Sequence, residues 1–515
     1  MNAVTDLATG TARAISRRLS TPVDLLALYA QLSDHGRRPD TLLIETTAGR
    51  SVILDQAAVR IECRGGEVTL DALSTTGQPV LELVGRKLAK NLASESADRV
   101  TLRYERSDEV DAERRLLAPS PFDVLRAITT EIANETPEEA MAVCLVGVIA
   151  FDHVELFEEL PPYAEDQADF PDFIFWLAES VIASEPKLTP RLVCTSFATG
   201  DPEQQKRSHN SAIERLGELS FRASDVHGLH PKPGEPGEVA VDLDDRAFAS
   251  AVSQLKEHIL AGDVYQIVAS RTFSAACPDP LSAFARVRSL DRSPYMFFVS
   301  GGDFALFGAS PETSVRVTRE NGKPIVEVKP IAGTRPRGTD SDQDDRMEAD
   351  LRLDEKEAAE HMMLVDLARN DVARISEPGT RHVAQLMTLE KYARVMHLVS
   401  SVKGVLTKGY DAIHALQACL NPGTLSGAPK LRATQLLREY ERTRRGPYGG
   451  TIGWLNGEGL MDTGIVIRSA LVKDGTAYVR AGAGVVHDSD PMAEAEETRG
   501  KASAVLSAIA GEQIR

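Results

Sequence analysis

The chain has 515 residues, of which 42% are hydrophobic and 26% are charged, and its formal net charge is −18. This composition is typical of a globular protein that is long enough for two or more hydrophobic cores. Because the chain is acidic and has no run rich in Lys and Arg, the sequence argues against a nucleic-acid-binding or anionic-membrane surface.

The sequence predicts neither a membrane span nor a secretory signal. The longest apolar run, 140–151, is too short to cross a bilayer, and the N-terminus has no long apolar core that ends in a cleavage site. The five cysteines are scattered and lack C-x-x-C spacing. This pattern suits a reducing cytosol and predicts neither a zinc site nor a disulfide framework. We therefore expect a cytoplasmic protein.

The N-terminal region, 1–225, begins with predicted strands. Residues 42–73 alternate between apolar and polar positions with turn residues between them, which predicts a series of antiparallel strands. In 119–133, Phe122, Leu125 and Ile128 fall on one stripe, which predicts a helix.

A Pro/Gly-rich linker is expected at 226–244, where these residues cluster without periodicity. After it, the apolar stripe at 245–260 predicts a helix that Gly262 ends. The β-branched and aromatic residues at 264–273 then predict a strand. Within this strand Gln266 has apolar neighbours, so it is either a hydrogen-bonding core residue or a residue that lines a site.

Two pairs of glutamates carry the clearest chemical signal. Glu357 and Glu360, and likewise Glu494 and Glu497, are spaced i, i+3 in stretches that predict helices, so each pair shares one helical face. If the two faces meet, four carboxylates converge in a site suited to Mg²⁺. Two solvated acidic faces would explain the same spacing. The hydrophilic run 335–346 before the first pair predicts a mobile loop.

Four further features accompany the glutamates. PIAGTRPRG (330–338) is typical of a turn that bears two arginines. GTLSGAPK (423–430) precedes a predicted helix and is either an anion-binding helix start or an ordinary cap. RAGAGVV (480–486) either lets the backbone approach a ligand closely or forms a bulged strand. His397 has apolar neighbours and is either a core residue or a catalyst.

In this order, the strings GASPE, PIAGTRPRG, EHMMLVDLARND, VMHLVS, GTLSGAPK, AGAG and EETRGKA resemble the large, chorismate-binding subunit of anthranilate synthase, component I. The resemblance is densest over 245–510. It implies an α+β fold with β-sandwich-like antiparallel sheets flanked by helices, and a chorismate-binding catalytic region at 245–515. It also implies a lyase of tryptophan biosynthesis that converts chorismate and ammonia to anthranilate and pyruvate, with Mg²⁺ as cofactor.

The resemblance assigns a role to each matching position. It implies direct Mg²⁺ ligation by Glu360 and Glu497, with support from Glu357 and Glu494. Glu312 is the implied acid that protonates the departing C4 hydroxyl. The other residues implied in catalysis are His397, Thr424 and Gln266. The residues implied in chorismate binding are Tyr448, Arg468, Gly482, Ala483, Gly484, Lys501, Gly333 and Thr334.

Two positions separate this chain from related enzymes. Water-adding relatives carry Lys where Gln266 stands, and a neutral amide cannot act as a base near neutral pH. Aminodeoxychorismate synthases use a Lys nucleophile where this chain has Ala332. No cysteine has the flanking residues of a glutaminase nucleophile. We therefore expect a separate glutamine amidotransferase subunit, and so a hetero-oligomer, with free ammonia as the substrate of this chain.

The N-terminal region also resembles the family's site for feedback inhibition by L-tryptophan. Asp291 and Arg292 stand where bacterial relatives usually have Asn-Pro, and such a charged pair would weaken tryptophan binding. A strand-rich packing interface would explain the same segments. The implied feedback residues are Glu45, Thr46, Arg50, Ser293, Pro294, Tyr295 and Met296.

Two alternatives to an anthranilate synthase remain open from the sequence. A 2-amino-4-deoxyisochorismate synthase of secondary metabolism would use the same residues and stop after amination. A non-catalytic, tryptophan-sensing paralogue would keep the fold alone.

Overall fold

The structure is a computed structural model that describes residues 10–164, 166, 168–198, 201–234, 237–290, 292–392 and 395–511. The α-helices described are α1 (Leu25–Leu32), α2 (Gln78–Lys87), α3 (Ala112–Leu116), α4 (Asp123–Glu131), α5 (Pro202–Ser224), α6 (Asp245–Leu260), α7 (Pro280–Leu290), α8 (Ser341–Leu353), α9 (Glu355–Ala373), α10 (Ala412–Cys419), α11 (Lys430–Glu441) and α12 (Pro491–Ala510). Short 3₁₀ helices cover Ala89–Asn91 and Phe151–Leu156.

The strands described are β1 (Thr11–Arg18), β2 (Thr41–Thr46), β3 (Ser51–Arg64), β4 (Glu67–Ala72), β5 (Leu92–Glu95), β6 (Arg99–Arg103), β7 (Ala133–Asn134), β8 (Cys144–Ile149), β9 (Phe173–Ser184), β10 (Arg191–Phe197), β11 (Ala240–Val241), β12 (Gln266–Ala276), β13 (Tyr295–Ser300), β14 (Ala305–Ser310), β15 (Thr313–Glu320), β16 (Lys323–Val328), β17 (Ile331–Pro336), β18 (His382–Lys391), β19 (Val395–Val405), β20 (Gly427–Ala428), β21 (Thr451–Asn456), β22 (Met461–Ile465), β23 (Ser469–Lys473) and β24 (Thr476–Val485).

Two largely antiparallel sheets face each other and share the long strands β3 and β9. One sheet runs β7-β1-β10-β9-β3-β2-β13-β14-β23-β24-β12. The other runs β5-β6-β4-β3-β9-β8-β21-β22-β15-β16-β19, and β17 and β18 also pair with β19. Register shifts between Leu54 and Val59 interrupt the β3–β9 ladder. Such bulges bend a strand, which lets β3 pass from one sheet to the other.

The core between the sheets is built by alternate residues of the strands. Trp176, Phe297 and Ile452 point into this space and are almost fully buried. Their neighbours point outward: Phe298 packs in a second core with helices α1, α7 and α12, and Phe175 packs in a third with α2, α4 and α10. The result is a four-layer arrangement, and the predicted α+β fold with flanked antiparallel sheets is confirmed.

Strands from both halves of the sequence interleave in these sheets. In one sheet β2 pairs with β13, and in the other β8 pairs with β21. The interleaving makes residues that are distant in sequence neighbours in space. The division at 226–244 stays a prediction about sequence regions.

Several predicted elements are confirmed, and two are wrong. The helix predicted after the linker is α6, which Asp244 caps by accepting a hydrogen bond from the Ala247 N–H. The helices predicted around the two glutamate pairs are α9 and α12. None of the helices in the described ranges is both long and apolar enough to span a bilayer.

The loop predicted at 335–346 instead comprises the end of strand β17, a short connection at 337–340 and, from 341, the start of helix α8. Asp340 caps this helix by accepting a hydrogen bond from the Gln343 N–H, and Leu351 anchors it in a small core with Met396 and Leu398. The hydrophilic residues at 341–346 are therefore the mostly exposed first turns of a helix that is anchored by Leu351, outside the run.

The turn predicted at PIAGTRPRG is also wrong, because residues Ile331–Pro336 form strand β17 against β19. A register shift between Ala332 and Thr334 accommodates Gly333, whose φ is +77°. The glycine therefore marks a bulge within a strand.

Candidate active site

The site lies where the ends of β12 and β24 meet helices α9 and α12. α12 packs on β24, β12 and α6, while α9 packs on β17 and β19. The Glu357/Glu360 pair of α9 and the Glu494/Glu497 pair of α12 therefore approach each other across the end of the β12–β24 ladder. The register along this ladder is continuous, so the alternative of a bulged strand at 480–486 is wrong.

Glu312 is a buried carboxyl group that follows strand β14. The Thr424 hydroxyl donates a hydrogen bond of 3.0 Å to Glu312 Oε1. Burial raises the pKa of Glu312 to about 8, against the opposing effects of the Thr424 hydrogen bond and of the positive charges on Arg468 and Lys501. At neutral pH this group holds a proton that it can donate.

Gln266 contacts the first glutamate pair directly. Its Nε2 donates a hydrogen bond of 2.8 Å to Glu360 Oε1, while its buried Oε1 has no partner among the described residues. A Cβ atom at Gly484 would lie 2.9 Å from Gln266 Nε2 and 3.5 Å from Glu360 Oε1. Any other residue at position 484 would therefore displace this amide or this carboxylate.

The four glutamates influence one another electrostatically. Burial, and then the negative charges of Glu357 and Glu497, raise the pKa of Glu360. Burial also raises the pKa of Glu494, as does the charge of Glu497, and Glu494 Oε2 is buried without a hydrogen-bond partner in the described chain. The arrangement therefore concentrates negative charge that a cation would neutralise.

Two of the four carboxylates are paired with basic side chains. Arg335 Nη1 lies 3.3 Å from Glu357 Oε1, and Lys501 Nζ lies 2.5 Å from Glu497 Oε1. Across the described ranges, no three or more His, Cys, Asp or Glu side chains form a group ready to hold a metal ion. The ion pairs partly neutralise Glu357 and Glu497.

Tyr448, Gly482 and Lys501 form a second wall of the site, next to the glutamates. Lys501 Nζ donates a hydrogen bond of 3.0 Å to the Gly482 carbonyl. A Cβ atom at Gly482 would lie 2.9 Å from the Tyr448 hydroxyl, so glycine is needed for this close approach. Because side chains alternate along a strand, Ala483 points to the other face of β24.

His397 is held in one orientation. Its Nδ1 lies 3.2 Å from the Gly333 carbonyl and 3.0 Å from the Thr334 hydroxyl. Since a carbonyl can only accept, Nδ1 carries the proton of the neutral ring, and Nε2 is the basic nitrogen. The bulge at Gly333 also brings Glu357 close, with its Oε2 3.4 Å from a Cβ built on Gly333.

Comparison with known proteins assigns this geometry to a family. The family model for a chorismate binding enzyme matches residues 75–507. Anthranilate synthase component 1 of Vibrio cholerae is 45% identical over 493 residues, which are 92% of this chain and 92% of that protein. The chain belongs to the anthranilate synthase component 1 family. The Escherichia coli protein of the same name is 43% identical over 500 residues, covering 94% of each chain.

A solved structure agrees with this membership of the component 1 family. Anthranilate synthase component I from Streptococcus pneumoniae matches with a TM-score of 0.65 and 29% identity, over 90% of this chain and 93% of that one. The family predicted from the sequence, and the fold that it implies, are therefore confirmed.

The residues predicted for tryptophan feedback also come together. In the β2–β13 ladder Glu45 is opposite Met296, and Thr46 is opposite Tyr295. The Thr47 N–H donates to the Pro294 carbonyl, which connects the two segments further. Ser293, which precedes Pro294, is buried. Asp291 lies outside the described residues.

Two buried polar groups in this feedback region have no hydrogen-bond partner within the described chain. They are the Thr46 hydroxyl and the indole N–H of Trp454. Arg50 lies beside the second of them, because its guanidinium lies over the Trp454 ring at 5.4 Å while it pairs with Glu185 at 2.6 Å. Unsatisfied buried groups are costly, so a polar ligand in this region would stabilise the fold.

Sequence reasoning missed three charged residues that hold predicted site residues. Arg335 pairs with Glu357, Arg288 binds both carboxylate oxygens of Glu45, and Asp462 accepts a hydrogen bond of 2.6 Å from the Tyr295 hydroxyl. Arg335 belongs to the PIAGTRPRG motif, so the sequence did contain a signal that could have identified it. Nothing in the sequence around Arg288 or Asp462 signals their partners, which are distant along the chain.

Proposed function

We propose that this chain converts chorismate and ammonia to anthranilate, pyruvate and water. The observation that carries the proposal is the buried Glu312 carboxyl group, which is protonated at neutral pH and hydrogen-bonded to Thr424. Hydroxide is a poor leaving group, so the C4 hydroxyl of chorismate needs an acid of this kind. The positive charges of Arg468 and Lys501 nearby suit a dianionic substrate.

In this proposal, one wall of the site binds the enolpyruvyl carboxylate. Arg468 and Lys501 supply positive charge, and Tyr448 supplies a hydroxyl that lies against Gly482. Gly482 and Gly484 leave room for the substrate to approach the backbone of β24. Ala483 contributes backbone alone, because its side chain points away.

We propose that Glu360 and Glu497 bind Mg²⁺ directly and that Glu357 and Glu494 support them. The residues fit such an ion, since they offer carboxylate oxygens alone and include the unpartnered Glu494 Oε2. When bound, Mg²⁺ would hold the ring carboxylate of chorismate and neutralise its charge. Glu357 and Glu497 would exchange their ion pairs with Arg335 and Lys501 for this ligand.

The reaction then proceeds in two stages. Glu312 donates its proton to the C4 hydroxyl, which leaves as water while ammonia adds at C2. The C2 proton and pyruvate are then lost, and the formation of the aromatic ring drives this stage. His397 assists the second stage as a base through Nε2, because its Nδ1–H donates to the Gly333 carbonyl.

The proposal also includes a source of the ammonia and an inhibitor of the reaction. The name component 1 of the relatives supports a separate glutamine amidotransferase subunit as the source of ammonia. L-tryptophan is the proposed inhibitor, bound beside the paired ends of β2 and β13, near Thr46 and Trp454. The amino group of tryptophan would donate to the Thr46 hydroxyl, and its carboxylate would accept from the Trp454 indole N–H.

The experiment is to incubate the purified chain with chorismate, Mg²⁺ and an ammonium salt, and to follow anthranilate fluorescence and pyruvate together. Equal amounts of both products are expected. Consumption of chorismate without pyruvate would indicate an enzyme that stops at 2-amino-4-deoxyisochorismate. No consumption at all would indicate a non-catalytic paralogue.

A further inference from the structure

A buried charge network lies behind the proposed chorismate wall. Glu441, at the end of α11, accepts hydrogen bonds from the backbone N–H and the hydroxyl of Ser270, and from Arg445 and Arg480 at 2.6–2.8 Å. Burial acts to raise its pKa, but the charges of Arg445 and Arg480 lower the pKa of Glu441 to about 2. The network is thus ionised at all working pH values.

Arg445 connects this network to the backbone of two site segments. Its Nη1 donates to the Leu425 carbonyl at 2.6 Å, and its Nη2 donates to the Val268 carbonyl at 2.7 Å. Its Nε and Nη2 also donate to Glu441. The side chain is only 2% exposed, so these bonds form away from competing water.

Each of these partners adjoins a residue of the proposed site. Leu425 follows Thr424, the hydrogen-bond donor to Glu312. In the β12–β24 ladder Val268 is opposite Gly484, and Ser270 is opposite Gly482. The Arg445 guanidinium itself lies over the Tyr448 ring at 6.0 Å.

We propose that Arg445, fixed by Glu441, is a positioning residue that sets the distances between the Thr424 segment, Tyr448 and the glycine strand β24. The inference rests on the proposed function, because it concerns the placement of the chorismate-binding wall. Arg445 reaches these segments with one rigid, planar group. Lysine carries the same charge but has no fork that could bind two carbonyls and a carboxylate in one plane.

A purely structural role is the competing explanation, since buried ion pairs also affect folding. The chain contains a suitable control in α5, where Arg215 binds the fully buried Asp55 at 2.6 Å. Arg215 lies on a helix that contributes no residue to the proposed site. Arg445→Lys and Arg215→Lys therefore make the same chemical change in two buried ion pairs.

The experiment compares both variants with the unaltered chain in steady-state kinetics, chorismate binding by calorimetry and thermal unfolding. We expect Arg445→Lys to lower kcat/KM for chorismate about 10²-fold, mostly by raising KM. The dissociation constant for chorismate should rise by a similar factor. Arg215→Lys should lower the unfolding temperature but leave kcat/KM within about twofold. Equal kinetic effects in the two variants, or an unchanged KM in Arg445→Lys, would overturn the proposal.

Ser270→Ala keeps the test decisive if Arg445→Lys does not fold. This change removes the hydroxyl between Glu441 and Arg480 and leaves the charges paired. We expect chorismate affinity to fall about tenfold, and an unchanged affinity would overturn the proposal. If the unaltered chain forms no anthranilate, the proposed function fails, while calorimetry with chorismate still tests the positioning role.

Discussion

The amide of Gln266 donates a hydrogen bond of 2.8 Å to Oε1 of Glu360, across 94 positions of sequence. This contact places a neutral amide, without a titratable proton, against the carboxylate that we propose as a Mg²⁺ ligand. It orients one oxygen of Glu360 and leaves the other for the metal. Five predictions test this contact and the other assigned roles.

Loss of the Gln266 contact should weaken Mg²⁺ binding. In Gln266→Met, a side chain of similar volume cannot orient Glu360, so we expect the Mg²⁺ concentration for half-maximal activity to rise about tenfold. A Mg²⁺ titration of ammonia-dependent turnover gives this value. The exposed Gln254 provides the control, and equal Mg²⁺ requirements in Gln266→Met and Gln254→Met would contradict the prediction.

Glu497→Gln should abolish Mg²⁺-dependent turnover and leave the fold intact, because the side chain is 47% exposed and on the surface of α12. Mg²⁺ should also lose its effect on the unfolding temperature of this variant. Glu496→Gln changes the neighbouring exposed carboxylate of the same helix and should behave as the unaltered chain. Normal Mg²⁺ response in Glu497→Gln would remove Glu497 from the metal site.

Glu312→Gln should lower kcat by about 10²–10⁴-fold, the usual contribution of a general acid, with a small change in KM. The amide keeps the size of the side chain and can still accept from Thr424, so folding is not affected. Initial rates of anthranilate formation at saturating ammonia measure the effect. A kcat within a few-fold of the unaltered chain would show that the proton comes from another group.

The same substitution should change how stability depends on pH. The pKa of Glu312 is about 8 in the folded chain and near 4.5 when unfolded. Folding therefore favours the protonated form, and its contribution to stability is complete below pH 4.5 and lost as pH rises through 8. Urea unfolding at pH 5 and pH 8 should show Glu312→Gln gaining stability relative to the unaltered chain at the higher pH. A constant difference would contradict the raised pKa.

Thr46→Val should weaken inhibition by L-tryptophan about tenfold and leave kcat unchanged. The variant removes a buried hydroxyl that has no partner in the described chain and that we propose for the ligand. The inhibition constant against chorismate is the measurement. Thr47→Val is the matched control, because Thr47 is exposed and adjacent. Unaltered inhibition in Thr46→Val would place the inhibitor elsewhere.

Local sequence patterns predicted most of the elements that carry the site. The stripe of Phe248 and Val252 predicts α6, and the i, i+3 spacing places Glu357 and Glu360 on one face of α9. These features depend on repeats of two to four residues, which can be read from a short segment of sequence. The run 335–346 misled the prediction because α8 is held by Leu351, outside the run.

The amino-acid sequence by itself determined the family, the helices that bear the glutamate pairs and the residue types at each site position. Only the tertiary structure decided that Gln266 contacts Glu360, that Lys501 pairs with Glu497, and that Arg445 joins the walls of the site. The physical reason is that these contacts join residues on different elements. The pairing of β12 with β24 and the packing of α9 and α12 set their distances, and no local periodicity encodes that packing.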